Sequence, residues 1–279
     1  MFVLGSAQFG FDYAGSRGDI SQKELKNILD IASENEVNEI DTAIGYGKAE
    51  TLLGLSDCSS FKINTKLPAI INHEISDLEE TILGSLERLN ISKINILYIH
   101  NVPSFLSHPK SQRLYESLLK LKQKQLIDKV GISIYCLDEF YKFKSRYKFD
   151  VVQGTFNFFD DRFLDLSHEC IEKFQYRSIF LQGTLLDPRL RFGLPFEQQF
   201  RDFDDYVKKS GFISRLGFCL EYAAQHLEML DVLIGVRSEK EIEEICSMLA
   251  NREYHPNIPR KRYTDKNKIL VNPSKWVRN

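Results

Sequence analysis

Four residues have the types needed to protonate a carbonyl oxygen together: Asp41, Tyr46, Lys66 and His100. They stand in the local sequences NEIDTAIGYG, FKINTKLP and NILYIHN, each where a run of strand-forming residues gives way to a loop. A phenol can donate the proton, but its ordinary pKa of about 10 makes it a reluctant acid at neutral pH. An ammonium against the phenolic oxygen favours the phenolate, a carboxylate behind it keeps the ammonium charged, and an imidazole N–H orients the substrate oxygen. None of the four can deliver a hydride, so the chemistry calls for a nicotinamide cofactor.

The elements that must position them are legible as an alternation. Runs rich in β-branched and aromatic residues predict strands at Phe2–Leu4, Val37–Asp41, Phe61–Lys66, Ile94–His100, Lys129–Ile134, Asp150–Gly154, Ser178–Gln182 and Val232–Val236. Helical spacing fills the intervals. Ser21 and Glu24 form a capping-box pattern ahead of Leu25, Ile28, Leu29 and Ala32; Ser76 with Glu79 and Ser238 with Glu241 repeat it. Leu185–Ser210, with its Pro and Arg residues, predicts a long loop plus a helix. Strand–helix alternation implies a parallel sheet, and eight repeats suit an α/β fold closed into a (β/α)8 TIM barrel, a single domain over 1–279. Barrel sites lie at the C-terminal ends of the strands, which puts Asp41, Lys66 and His100 at one mouth.

A net charge of −2 and an isoelectric point near 6.3 give no case for nucleic acid or an anionic membrane as a partner. A small neutral or anionic metabolite is expected instead. The opening MFVLGSAQFG has no charged leader, and no run approaches the roughly 20 apolar residues of a membrane span, so a cytoplasmic location is expected. Cys58, Cys136, Cys170, Cys219 and Cys246 are scattered and never spaced C-x-x-C, which argues for plain thiols over disulfides or a metal site.

The DTAIGYG segment, a Lys closing the next strand and a His closing the one after resemble the aldo-keto reductase superfamily, in a bacterial-type member, over nearly the whole chain. The resemblance implies NAD(P)H-dependent reduction of an aldehyde or ketone to an alcohol, with a sugar or sugar-nucleotide carbonyl among the substrates considered. It makes Tyr46 the general acid, Lys66 its pKa modulator, Asp41 the partner of Lys66 and His100 the orienting donor. A His at position 100, where relatives that reduce a conjugated C=C bond carry Glu, favours a carbonyl substrate.

No G-x-G-x-x-G follows a strand, so the cofactor is expected on the loops after strands seven and eight. IGVRSEKEIEEI resembles the family's adenosine-phosphate segment through Gly235, Arg237 and Ser238, with Glu241 for the usual Gln and Ile245 for the usual Asn. Arg237 at a helix start suits a 2′-phosphate, making NADPH the expected cofactor and NADH the alternative. SIFLQGTLL implies Phe180 stacked on the nicotinamide and the backbone of Leu181, Gln182 and Gly183 at the pyrophosphate. Ser133 and Gln153 match contacts to the nicotinamide carboxamide, with Ile134 where many members carry Asn.

The stretch 252–279 is a basic tail in which Arg252, Arg260, Lys261, Arg262, Lys266, Lys268, Lys275 and Arg278 outnumber Glu253 and Asp265. It is either a solvated surface or an attractor for a phosphorylated substrate. Trp276, in an NPSKW ending similar to that of bacterial relatives, either packs back on the barrel or covers the mouth. Two other functions fit parts of the pattern: a cofactor-binding regulatory barrel with little turnover, and a metal-dependent hydrolase using His100 and Asp41, for which no clustered His motif is present. The identity of the substrate and the oligomeric state have no readable code.

Overall fold

The computed structural model describes residues 2–10, 20–68, 78–169, 172–252 and 257–277; Ser76, Cys170, Glu253 and Arg278 lie outside them. The strands are β1 (Val3–Gly5), β2 (Glu39–Asp41), β3 (Lys62–Leu67), β4 (Ile94–Ile99), β5 (Ile127–Ser133), β6 (Val151–Thr155), β7 (Lys173–Arg177) and β8 (Leu233–Gly235). They pair in parallel in the order β7-β6-β5-β4-β3-β2-β1-β8, and a parallel bridge between Tyr176 and Val232 joins β7 to β8 and closes the barrel.

The helices are α1 (Ala7–Gly10), α2 (Gln22–Glu34), α3 (Ala49–Leu55), α4 (Leu78–Leu89), α5 (Val102–Ser107), α6 (Ser111–Gln123), α7 (Leu137–Lys144), α8 (Arg162–Glu169), α9 (Glu197–Lys209), α10 (Arg215–His226) and α11 (Glu239–Ala250). The capping box at α2 is complete: the Glu24 N–H donates to Ser21 Oγ at 3.2 Å and the Ser21 N–H to Glu24 Oε2 at 2.9 Å. At α11 the Glu241 N–H donates to Ser238 Oγ, but the Glu241 carboxylate accepts from the Arg237 N–H at 2.8 Å instead of from Ser238.

Three returns from helix to strand use one device. After α2, α4 and α6 a left-handed residue, Glu36, Asn90 or Gln125, is followed by an apolar residue whose N–H reaches back into the last helical turn: Val37 to Ala32, Ile91 to Leu86 and Leu126 to Leu121. These are Schellman closures without glycine, which explains why glycine does not mark the helix ends in the sequence.

Strand seven lies earlier than the sequence pattern predicts, at Lys173–Arg177 in place of Ser178–Gln182. Ser178, Leu181 and Gln182 take φ of 66°, 46° and 56°, which no strand can accommodate. The true strand, KFQYR, is disguised because its inward residues are polar. Leu185–Ser210 forms a loop with a short 3-10 turn at Pro188–Arg191, then α9.

A large apolar layer lies between strands and helices, while the barrel interior holds a small cluster of Ile96, Tyr98 and Val151. Beside that cluster, Glu39 Oε1 accepts from Asn64 Nδ2 at 2.6 Å and from Gln175 Nε2 at 2.5 Å, and Tyr98 Oη donates to Gln175 Oε1 at 2.7 Å. Period-two alternation then turns the next inward positions toward the mouth: Asp41 above Glu39, Lys66 above Asn64, His100 above Tyr98 and Arg177 above Gln175.

The loop after β2 is wedged against α1. A Cβ on Gly10 would lie inside the van der Waals envelope of the Tyr46 carbonyl, and the Lys48 N–H donates to the Gly10 carbonyl at 3.4 Å. Gly10→Ala must push this segment outward, at the roughly 1–3 kcal/mol typical of overpacking. Urea denaturation should show the lowered stability; an unchanged midpoint would mean that the two segments are not in contact.

Candidate active site

Asp41 ends β2 and Lys66 lies one residue before the end of β3, so parallel pairing of the two strands brings both side chains to the rim. Both are about 2% exposed, and Lys66 Nζ donates to Asp41 Oδ1 and, at 2.8 Å, to the Thr42 carbonyl. The other carboxylate oxygen, Asp41 Oδ2, accepts from Gln153 Nε2 at 2.8 Å. Burial pushes Lys66 below the usual amine range, and the Asp41 carboxylate opposes that shift.

Tyr46 sits in the turn between β2 and α3, held by its N–H on the Ala43 carbonyl at 2.9 Å. Its ring centre is 5.2 Å from Lys66 Nζ and 6.0 Å from that of His100, which meets it edge-on at 81°. Burial and then the Asp41 charge raise the Tyr46 pKa, keeping the phenol protonated; Arg177 works in the opposite direction. His100 follows the last residue of β4, and burial first, then Lys66 and Arg177, depress its pKa to about 3. It is therefore a neutral imidazole that can donate one N–H.

Of the expected cofactor contacts, Ser133 and Gln153 are buried and face one another, with Ser133 Oγ donating to Gln153 Oε1 at 3.4 Å. Phe180 is half-buried and Leu181 fully buried, and the Leu181 N–H is used by the Ser178 carbonyl at 2.9 Å. Gln182 and Gly183 share the left-handed run. Gly235 ends β8 with its bare Cα against Gln8. Arg237 is bidentate to Glu241, through Nε at 2.8 Å and Nη2 at 2.5 Å, and Ser238 caps α11.

Residues at the rim fit a polar ligand. The Ser6 and Thr42 hydroxyls, fully buried just after β1 and β2, have no hydrogen-bond partner among the described residues, and α11 begins beside them with a Ser238 cap and with Glu239 and Glu241 in its first turn. Among the described residues no three His, Cys, Asp or Glu side chains converge as metal ligands would, and no helix is long and apolar enough to cross a membrane.

Two residues at the site, Thr42 and Arg177, were not expected from the sequence, and Gln153, expected at the carboxamide, has a second role. Gln153 braces Asp41, the Thr42 carbonyl accepts from Lys66, and Arg177 brings a guanidinium to the rim. The signal for Arg177 was its spacing, two residues after an inward Gln175, and the misplaced strand concealed it.

The described arginines of the tail are ion-paired, while Lys266, Lys268 and Lys275 are exposed. Arg252 pairs with Glu221, Arg260 with Asp161 and Asp165, and Arg262 with Asp165. Trp276 packs back, its ring centre 6.2 Å from that of Phe196 and its Nε1 donating to the Leu270 carbonyl at 3.0 Å.

The sequence matches the Aldo/keto reductase family model over residues 2–256. The chain belongs to that family, a class of oxidoreductases that reduce small-molecule carbonyls with nicotinamide cofactors. Glycerol dehydrogenase from Gluconobacter oxydans has the same fold, with a TM-score of 0.68 at 18% identity, covering 98% of this chain and 90% of that one. The holo form of an aldo-keto reductase from Bacillus halodurans gives a TM-score of 0.68 at 16% identity, covering 98% and 91%. No curated protein sequence matches significantly.

The depressed pKa of His100 makes stability depend on pH. The unfolded imidazole takes up a proton near pH 6.5, whereas the folded one resists until about pH 3. This contribution is fully present above about pH 6.5 and is lost as the pH falls toward 3, by up to about 1.4 kcal/mol per pH unit. His100→Asn should flatten the stability profile measured in urea between about pH 6.5 and 4. An identical slope in that variant would show that His100 titrates normally.

Proposed function

We propose that the chain reduces an aldehyde or ketone with Tyr46 as proton donor, Lys66 and Asp41 as one unit behind it, and His100 as the donor that orients the carbonyl oxygen. The observation that carries this reading is the Lys66 ammonium, buried 5.2 Å from the Tyr46 ring centre and bonded to Asp41. The reduced nicotinamide supplies the hydride when bound. Tyr46 gives its proton to the carbonyl oxygen, and the phenolate it becomes is stabilised by the neighbouring cations. His100, neutral, holds the oxygen without competing as an acid. Ser133 and Gln153 suit the carboxamide end of the cofactor, and the loop of Phe180, Gln182 and Gly183 suits its middle, the Leu181 N–H being taken by the Ser178 carbonyl. Gly235 and Ser238 suit its phosphate end.

Tyr46→Phe should cut carbonyl reduction at least about a hundredfold while the cofactor still binds. Asp41→Asn and Lys66→Met should each cripple the rate, with the double variant little worse than either; additive losses would separate the two residues. Cofactor binding without turnover on any carbonyl would instead indicate a regulatory barrel.

For the cofactor, Arg237 favours NADPH, but a 2′-phosphate must draw the guanidinium away from Glu241. We expect NADPH to bind about tenfold tighter than NADH, a gain of roughly 1.4 kcal/mol. Glu241→Gln should widen the preference and Arg237→Ala should remove it. Fluorescence titration of both cofactors decides this, and an affinity ratio unmoved by Arg237→Ala would exclude Arg237 from reading the phosphate.

A further inference from the structure

Arg177 is the last residue of β7 and the inward position above Gln175, so its side chain enters the mouth from the rim. There its charge acts on Tyr46, Lys66 and His100 alike. The guanidinium is half-buried, 4.1 Å from the centre of the Tyr135 ring; Nη2 donates to the Ile134 carbonyl at 3.1 Å and Nη1 to Ser178 Oγ at 3.4 Å. The other partly buried arginines, such as Arg162, Arg191 and Arg260, each pair with a carboxylate. Among the described residues Arg177 pairs with none.

Withdrawing a guanidinium from water without a counter-charge is costly, and its planar fork matches a carboxylate or phosphate. Lys66 is already balanced by Asp41 and His100 is neutral, so Arg177 leaves the described mouth one positive charge in excess.

We infer that Arg177 is a specificity-determining residue that binds an anionic group, carboxylate or phosphate, carried by the carbonyl substrate near its reacting carbon. This rests on the reading of Tyr46 and His100 as the carbonyl site. The cofactor diphosphate offers the same chemistry, and the test separates the two sources.

Oxidation of saturating NADPH is followed with benzaldehyde and 3-carboxybenzaldehyde, and with glyceraldehyde and its 3-phosphate, in wild type, Arg177→Met and Arg177→Lys. NADPH affinity is measured in parallel by fluorescence, and benzoate is titrated into the cofactor-loaded protein by calorimetry. Charge-assisted bonds of about 1.5–3 kcal/mol predict that wild type prefers the anionic member of at least one pair about tenfold or more in kcat/KM. Arg177→Met should erase that preference and Arg177→Lys keep part of it, with NADPH affinity changed less than about threefold.

A wild type without preference overturns the inference without recourse to any variant. So does a preference that survives in Arg177→Met. A variant that weakens NADPH binding about tenfold and leaves the substrate ratio unchanged overturns it in favour of the cofactor diphosphate. If neither aldehyde of either pair is turned over, the reductase reading fails separately. Benzoate binding to wild type and not to Arg177→Met then still supports the anion site, and equal or absent binding overturns it.

Discussion

The buried pair of Lys66 and Asp41 is the interaction on which the arrangement of the mouth depends. Each charge, taken out of water, costs several kcal/mol unless its partner and its remaining hydrogen bonds are in place. Here they are: Asp41 accepts from Lys66 and Gln153, and Lys66 donates to Asp41 and the Thr42 carbonyl. Removing either partner leaves the other charge stranded. Three strands, β2, β3 and β6, are thereby held in a fixed relation at their C-terminal ends.

Next to Lys66 in sequence, Thr65 points the other way, and that difference anchors the outside of the site. Thr65 Oγ1 and Ser85 Oγ both donate to Glu50 Oε1 at 2.7 Å, and Arg88 donates to Glu50 Oε2 at 3.0 and 2.7 Å. Glu50 belongs to α3, the helix that follows the Tyr46 turn. One strand therefore positions the ammonium on its inner face and the phenol, through α3, on its outer face.

What the sequence disclosed and what it concealed divide along the same line. Asp41, Lys66 and His100 were legible because each closes a run rich in β-branched and apolar residues, and α2 was legible because both halves of its capping box are side-chain bonds. Strand seven was misplaced because its inward Gln175 belongs to the polar interior, so KFQYR reads as neither strand nor helix, while SIFLQ has strand composition but left-handed residues. Arg177 vanished with it. The bracing role of Gln153 was invisible for another reason: its partner is 112 positions away and joins it only across the closed barrel.

A barrel with a polar interior has to draw its stability from elsewhere. The apolar layer between strands and helices holds almost all of the buried hydrophobic residues, while the inner cluster has only Ile96, Tyr98 and Val151. Burial outside is worth about 25 cal/mol per Å² of apolar surface, a term insensitive to which polar groups line the inside. The inner positions are thus free to carry groups that an ordinary core would reject, provided each finds a partner. Glu39, Asn64, Gln175 and Tyr98 satisfy one another at depth, and Asp41, Lys66 and Gln153 do so at the rim. Arg177 stands at the end of that series, satisfied by a ring and a carbonyl but by no opposite charge among the described residues. The charged groups among the inner polar residues that are described, Glu39, Asp41 and Lys66, are each met by a hydrogen-bonding partner on another strand, and Arg177 is the cation among them that no described carboxylate meets.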